Sequence, residues 1–163
     1  MRILKNPLSI VFSCLLIISC NSHTSTTSVS NQELPHQLVK KLTDIIVVDI
    51  FTPPVASRIY ANTSLAMYEA LRFEDKSSTS ITAKLKGFDP MPLPVKDVTY
   101  NYAISAIQAF CETAKKVTFS APEISGYQDS LIKIYGTNLS KEVIDSSVAF
   151  GQLAPRNGSG VKI

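Results

Sequence analysis

The residues of this chain that could do chemistry are few and stand apart from one another. His36 lies near the start of a predicted helix, and His23 lies in a polar stretch before it. Neither has a Cys, His or carboxylate cluster around it, as a metal site or a general base requires. The sequence also contains no HExxH, CxxC, GxSxG or glycine-rich phosphate loop. We interpret both histidines as surface or loosely packed residues, and these patterns predict no metal site and no nucleophile–base pair.

Two charged residues on either side of a proline pair suggest a structural role. Asp49 falls in the apolar run IIVVDIF, where an unpaired carboxylate would be unfavourable to bury. Arg58 follows shortly after Pro53-Pro54. If the helices before and after the prolines fold back on each other, Asp49 and Arg58 meet as a charge-assisted pair that fixes the hinge. The alternative is that Arg58 faces a substrate.

The first nineteen residues are typical of a lipoprotein signal peptide. Arg2 and Lys5 are positive, the run from Leu8 to Ile18 is apolar, and Ser19 precedes Cys20. At about eleven residues, the apolar run is too short to span ~30 Å of hydrocarbon as a permanent helix. The ending LLIISC resembles a bacterial lipobox, which implies cleavage before Cys20 and attachment of lipid to its thiol. We therefore expect anchorage to membrane lipid in the cell envelope; a short N-terminal anchor or an ordinary secretory leader is the alternative.

Removal of the leader changes what the composition implies. The formal charge of +3 falls by two, to +1, because Arg2 and Lys5 are lost. A nearly neutral domain gives no indication of nucleic-acid binding. Cys14 leaves with the leader and Cys20 is alkylated, so Cys111 remains alone and no internal disulfide is expected. Removal of nineteen residues from 163 leaves 144, which is enough for one small domain.

The rest of the chain is predicted to be all-α, a helical bundle fragment of about five helices. Residues 20–32 are rich in Ser, Thr and Asn, which indicates a flexible tether. In residues 33–153, apolar side chains recur at three- and four-residue steps, as they do on the buried face of a helix. No alternating segment is long enough to predict a sheet.

Prolines mark the boundaries in the first half of this helical domain. The first helix is predicted over 33–51, since the residue before a proline is disfavoured in a helix. Thr52 as N-cap and Pro53 at the first helical position then begin a second helix. Prolines at every second position in 88–95 favour an extended connector or, alternatively, a proline-motif ligand for a partner.

Capping residues mark the helices of the second half. Asp97 is predicted to cap the third helix. Ser120 and Glu123 have the spacing of a capping box for a fourth helix that ends at Gly136. Ser140 is predicted to begin the last helix.

Three stretches carry a family resemblance. They are KLTDIIVVDIFTPPVASRIYANTSLAMYEAL, GFDPMPLP and AISAIQAF…KKVTFS. They resemble the N-terminal helical region of the vanadium-dependent haloperoxidase-like proteins, relatives of the type 2 phosphatidic acid phosphatases. The resemblance covers about residues 34–150 and lies in packing and hinge patterns rather than catalytic motifs. It implies a helical enzyme family, haloperoxidase or phosphatase, whose intact members bind vanadate or phosphate.

The oxyanion-binding residues that this resemblance implies are missing. The family uses a Lys-x6-Arg-Pro element, a Pro-Ser-Gly-His element, and an Arg with a downstream His, since an oxyanion needs fixed cations, hydrogen-bond donors and an imidazole. No lysine stands seven positions before Arg58, Arg72 or Arg156, Pro-Ser-Gly-His does not occur, and no histidine follows Phe150. We therefore predict no catalytic, cofactor-binding or metal-binding residue, and expect vanadate only in an intact family member.

The end of the chain also departs from the family pattern, in which an apolar helix leads on to the catalytic bundle. Pro155 and two glycines interrupt residues 154–163, which we interpret as a divergent tail arising from truncation or frameshift. One hypothesis is that the chain is the N-terminal part of a haloperoxidase-like or phosphatase-like lipoprotein and is inactive without the catalytic bundle. The other is a lipid-anchored helical module of the cell envelope that binds a helical partner. A contiguous exposed apolar surface favours the first hypothesis.

Overall fold

A computed structural model describes residues 31–86, 88 and 91–154. The described residues form five α-helices, which are α1 Leu34–Val48, α2 Pro53–Leu71, α3 Tyr102–Val117, α4 Ala121–Tyr135 and α5 Lys141–Gly151. Two 3₁₀ turns, Arg72–Glu74 and Thr82–Lys84, lie between α2 and α3. The described residues contain no strand, and the predicted all-α fold is confirmed. None of these helices is both long and apolar enough to cross a membrane.

The predicted leader, with Cys20, and almost all of the predicted tether and tail lie outside the described residues. At the two boundaries the folded part includes residues that we assigned to those segments. The Asn31 side-chain amide donates a hydrogen bond to the Glu74 carboxylate at 2.7 Å. Ala154, the first residue of the predicted tail, is buried.

Helix α3 is the centre of the bundle, with α2, α4 and α5 packed around it. Every residue from Ala103 to Cys111 is buried, so about two and a half turns have no side facing solvent. A helix enclosed in this way needs small side chains where its neighbours approach. Alanines and Ser105 supply these positions, while Ile104, Ile107 and Phe110 fill the spaces between the helices.

Helix α3 begins later than predicted, and Asp97 does not cap it. Asn101 is the N-cap, and its side-chain oxygen accepts a hydrogen bond from the Ile104 amide at 3.1 Å. Asp97 lies in a turn before the helix, with a φ of 65°. The start of α3 is fixed from α5, because the Asn101 amide donates to the Ser147 hydroxyl at 2.8 Å. A contact across 46 residues thus overrides the local capping signal.

Helices α3 and α5 approach each other closely through small residues. The Ser105 hydroxyl donates to the Ser147 carbonyl at 2.8 Å, so the α5 backbone lies against α3. One turn later, Gly151 faces α3, and a Cβ at this position would lie 2.7 Å from Cβ of Gln108. Glycine is therefore required by the space between the helices.

Helix α2 begins at the position predicted. Thr52 has an extended conformation with ψ of 152°, and Pro53 and Pro54 open the helix. The Thr52 carbonyl accepts hydrogen bonds from the Val55 and Ala56 amides at 3.0 and 2.9 Å. The Thr52 side chain makes no capping hydrogen bond. The start of α2 therefore depends on the fixed φ of proline, which suits the first helical turn.

Residues 91–95 of the proline-rich connector form neither a helix nor a strand, in agreement with the absence of helix that the alternate prolines predicted. Met91 is buried and attaches the connector to the core. Leu93 and Val95 are exposed. The connector therefore crosses the surface with only part of its apolar content covered.

Helix α1 ends in a Schellman motif with an unusual residue at its centre. The Phe51 amide donates to the Ile46 carbonyl and the Ile50 amide to the Val47 carbonyl, both at 3.2 Å, which is the pair of bonds that defines the motif. Ile50 occupies the left-handed position, with φ of 56°. Glycine usually stands there, because a β-branched side chain clashes with its own backbone in this conformation.

We expect Ile50→Gly to stabilise the fold. The left-handed conformation costs roughly 1–2 kcal/mol for a residue with a Cβ, and the greater freedom of glycine in the unfolded chain offsets about 0.5–1 kcal/mol of this. The free energy of unfolding should rise by about 0.5–1 kcal/mol in chemical denaturation. Val48→Gly is the matched control, since Val48 is also exposed but helical, and this variant should be less stable than the parent. Equal destabilisation by both variants would contradict the assignment of strain to Ile50.

Candidate functional site

Arg58, Arg72 and His36, the described residues most suited to binding an oxyanion, are not brought together by the fold. Arg58 and Arg72 lie fourteen positions apart along α2 and its C-cap, which separates them by about 21 Å at 1.5 Å per residue. Arg72 is paired with Glu69 at 2.8 Å, whereas Arg58 and His36 are exposed on different helices. In the part of the chain that the structure describes, no three His, Cys, Asp or Glu residues are grouped so that they could hold a metal ion. The two arginines and His36 therefore do not converge on a common site for vanadate or phosphate.

Asp49, at the C-cap of α1, holds the junction between α3 and α4. Its carboxylate accepts hydrogen bonds from the Phe119 amide at 2.8 Å, the Ser120 amide at 3.3 Å and the Ser120 hydroxyl at 2.6 Å. The predicted pair with Arg58 is not among the ion pairs of the described residues, and Arg58 is exposed. The hinge is instead fixed by a contact across about 70 residues.

The predicted capping box at the start of α4 is not formed either. Ser120 is the N-cap residue, but its side chain makes no capping hydrogen bond, because the hydroxyl is directed at Asp49. Glu123 pairs with Lys41 of α1 at 3.1 Å. Both side chains of the expected box therefore serve to attach α4 to α1.

The pKa of Asp49 is lowered from its ordinary value of 3.8. Burial opposes ionisation, but the hydrogen bonds from the Ser120 hydroxyl and from the Phe119 and Ser120 amides together outweigh it. A lowered pKa in the folded state means that the ionised carboxylate stabilises the fold. That contribution is fully present above the unfolded pKa and is lost as the pH falls through the folded value.

We expect Asp49→Asn to lower the free energy of unfolding by about 1–2 kcal/mol at neutral pH. The amide keeps the shape of the side chain but loses charge-assisted hydrogen bonds to three donors. Asp44→Asn, five residues earlier and within α1, is the control. Its pair with Lys40 is exposed, and such pairs contribute less than ~1 kcal/mol. Urea denaturation of the two variants at pH 7 measures the difference, and equal stability would contradict the role assigned to Asp49.

An exposed apolar surface surrounds this junction, and we call it the hinge patch. It consists of the side chains of Val47, Val48, Ile50 and Phe119, which are 70%, 65%, 87% and 79% exposed. Phe119 is joined to the segment at the end of α1 by its hydrogen bond to Asp49 and by stacking on Phe51, with ring centroids 5.2 Å apart. Clustered large apolar side chains on a surface indicate contact with another protein or with a membrane.

Glu69 forms the most buried charged site in the described chain, and sequence analysis did not identify it. Its side chain is 3% exposed and pairs with Arg72, which is 11% exposed. The carboxylate also accepts hydrogen bonds from the Ile81 and Thr82 amides at 2.7 and 2.9 Å and from the Ser80 hydroxyl at 3.0 Å. The i,i+3 spacing of Glu69 and Arg72 was the available signal. Because three of the hydrogen-bond donors are Ser80, Ile81 and Thr82, the site anchors the loop that carries the second 3₁₀ turn.

Cys111 does not offer a reactive thiol. It is 1% exposed at the centre of α3. Burial raises its pKa to about 12, while the charges of Lys115 and Glu112 act in opposite directions. Nucleophilic attack requires the thiolate, which is scarce at neutral pH when the pKa is so high. Cys111 is therefore a core residue.

Comparison with known proteins shows similarity to a solved enzyme structure. No protein-family model matches the chain, and no curated protein matches it. The chain is similar to a solved structure described as the first bacterial vanadium-dependent iodoperoxidase, with 30% sequence identity and a TM-score of 0.70. The match covers 77% of this chain but only 30% of the iodoperoxidase chain. The chain therefore has a haloperoxidase-like helical fold, and it spans less than a third of the length of that relative.

Proposed function

We propose that this chain is the N-terminal helical part of a vanadium-dependent haloperoxidase-like or acid-phosphatase-like lipoprotein of the PAP2 superfamily. In this function it supplies a scaffold for an oxyanion-binding part and binds no oxyanion itself. The single observation that carries the proposal is the match to the iodoperoxidase at 30% identity over less than a third of that protein. The positions of the described arginines agree with this proposal. Arg72 is paired with Glu69, and Arg58 is exposed at a distant position on α2.

The scaffold role is tested by reconstitution. The full chain is produced alone and together with the part of the bacterial iodoperoxidase that lies outside the match, which we call the remainder. The iodoperoxidase's own matched region serves as the positive control. We expect no vanadate-dependent iodide oxidation or phosphatase activity from the chain alone, and activity at a tenth or more of the control when the remainder is present.

Two outcomes oppose the scaffold role. Vanadate-dependent turnover by the chain alone would show that it carries its own site. Failure to support the remainder, when the control region does so, would favour the alternative of a lipid-anchored helical module of the cell envelope. The same assay with iodide, bromide and a phosphoester distinguishes haloperoxidase from phosphatase activity.

Lipid attachment through Cys20 is tested by substitution in a bacterial host fed a labelled fatty acid. We expect the full chain to incorporate the label and Cys20→Ser to lose it completely, because only a thiol forms the thioether to diacylglycerol. Cys14→Ser is the matched control, since this residue lies within the leader and should leave labelling unchanged. Equal labelling of all three proteins, or of none, would contradict the assignment to Cys20.

A further inference from the structure

The hinge patch has the properties of a surface prepared for a partner. Its two parts, the end of α1 and Phe119, come from segments about 70 residues apart. The Asp49 hydrogen bonds and the stacking of Phe51 on Phe119 hold these parts together before anything binds. A preformed surface loses less conformational entropy on binding than a mobile one.

Ile50 gives a second, independent reason to assign a binding role. Its φ of 56° disfavours a β-branched side chain, and its 87% exposure means that packing within this chain does not offset the strain. Glycine or asparagine would suit the Schellman motif better. An isoleucine that is both strained and exposed is explained if its side chain enters an apolar pocket of a partner.

The charges around the hinge patch favour a protein partner over an anionic membrane. Anionic membrane surfaces are bound by clusters of about 4–8 lysines or arginines. Lys116, one turn before Phe119, forms no ion pair among the described residues. The neighbouring lysines are neutralised in the pairs Lys40–Asp44, Lys41–Glu123 and Lys115–Glu112. The surface is therefore apolar with a nearly neutral rim, as in the core of a protein interface.

We propose that the hinge patch is the docking face for the oxyanion-binding part of the parent protein. The inference rests on the proposed function, and it adds the surface and the chemistry of the contact. The occupant is an apolar helical face with few charges. The greater part of the matched iodoperoxidase chain lies outside the match, so in that protein the region similar to this chain is joined to a much larger body, which is the occupant that we propose for this surface.

Binding of the full chain to the iodoperoxidase remainder tests the docking face. Phe119→Asp should weaken binding at least tenfold, because it places a charge in an apolar contact. Leu93→Asp is the matched control, since Leu93 is 77% exposed against 79% for Phe119 but lies on the connector. The affinity of this variant for the remainder should stay within twofold of that of the unsubstituted chain. Ile50→Gly should weaken binding several-fold while it raises the melting temperature of the free chain. A purely structural role for Ile50 would not produce these opposite effects.

Each of the other outcomes overturns the docking face. Complex formation that Phe119→Asp leaves unchanged, or that Leu93→Asp weakens equally, would place the contact elsewhere. A chain that self-associates through Phe119, or that binds anionic vesicles through it and not the remainder, would identify a second copy or a membrane as the occupant. If the unsubstituted chain does not bind the remainder while the iodoperoxidase's own matched region does, the scaffold role itself fails. If the complex is active and Phe119→Asp does not weaken binding to the remainder, the docking face is wrong but the scaffold role stands.

Discussion

Replacement of Glu69 by alanine is expected to lower the free energy of unfolding by about 3–5 kcal/mol. The substitution leaves the Arg72 guanidinium, which is 11% exposed, without its carboxylate partner. It also removes the acceptor of the Ile81 and Thr82 amides. Buried groups that lose their partners bear the full cost of desolvation. Chemical denaturation followed by circular dichroism measures the loss.

Glu123→Ala is the control for the Glu69 substitution. Glu123 also pairs with a cation, Lys41, but its side chain is 59% exposed, and such a pair contributes less than ~1 kcal/mol. A loss at Glu69 no larger than the loss at Glu123 would contradict a buried anchoring role.

The same site has a defined pH dependence. Burial opposes ionisation of Glu69, but hydrogen bonds from Thr82, Arg72, Ser80 and Ile81 outweigh it and lower the pKa below its ordinary value of 4.5. The stability that this carboxylate supplies is therefore complete above about pH 4.5 and is lost as the pH falls through the lowered value. Glu69→Gln should remove this component, so the gap in stability between the parent and Glu69→Gln should narrow on acidification.

Gly151→Ala should lower the free energy of unfolding by about 2–3 kcal/mol, as overpacking of a tight contact does. The added methyl group would meet the Ser105 backbone carbonyl and lie 2.7 Å from Cβ of Gln108, atoms that cannot move without separating α3 from α5. The hydrogen bonds of Ser147 to α3 depend on the same approach of the helices. Thermal and urea denaturation both measure the effect.

Gly126→Ala is the matched control for Gly151→Ala. Gly126 lies within α4, and a Cβ there would meet nothing within 4 Å. Alanine in a helix is favoured over glycine by about 1 kcal/mol, so this variant should be more stable than the parent. Destabilisation of both variants would mean that helix propensity and space do not explain the two positions.

The all-α fold could be predicted because its signals are local. The apolar periodicity and Pro53 identified the first two helices, and Ser140 was identified correctly as an N-cap, with its hydroxyl accepting from the Val143 amide. These features depend on residues within one or two turns of each other. Helix capping and periodicity act over that range.

The parts that could not be predicted depend on contacts between distant segments. Asp97 was assigned as a cap because of its residue type, yet α5 fixes the start of α3 through Ser147. Ser120 had the spacing of a capping box, yet its hydroxyl is bound by Asp49. In both cases a partner from another helix competes with the local interaction, and sequence spacing does not reveal the partner.

The hinge patch was only partly visible in the sequence. The run IIVVDIF is apolar at consecutive positions, so a single buried face of α1 could not cover all of it. That the uncovered residues meet Phe119 depends on the fold. The left-handed conformation of Ile50 could not be anticipated, because isoleucine is among the residues least suited to it.

The vanadium content of the purified full chain, after equilibration with orthovanadate and removal of the free ion, tests the scaffold assignment most directly. We predict no stoichiometric vanadium in the chain alone and close to one vanadium per complex when the iodoperoxidase remainder is bound. One vanadium retained per chain in the absence of the remainder would contradict the account.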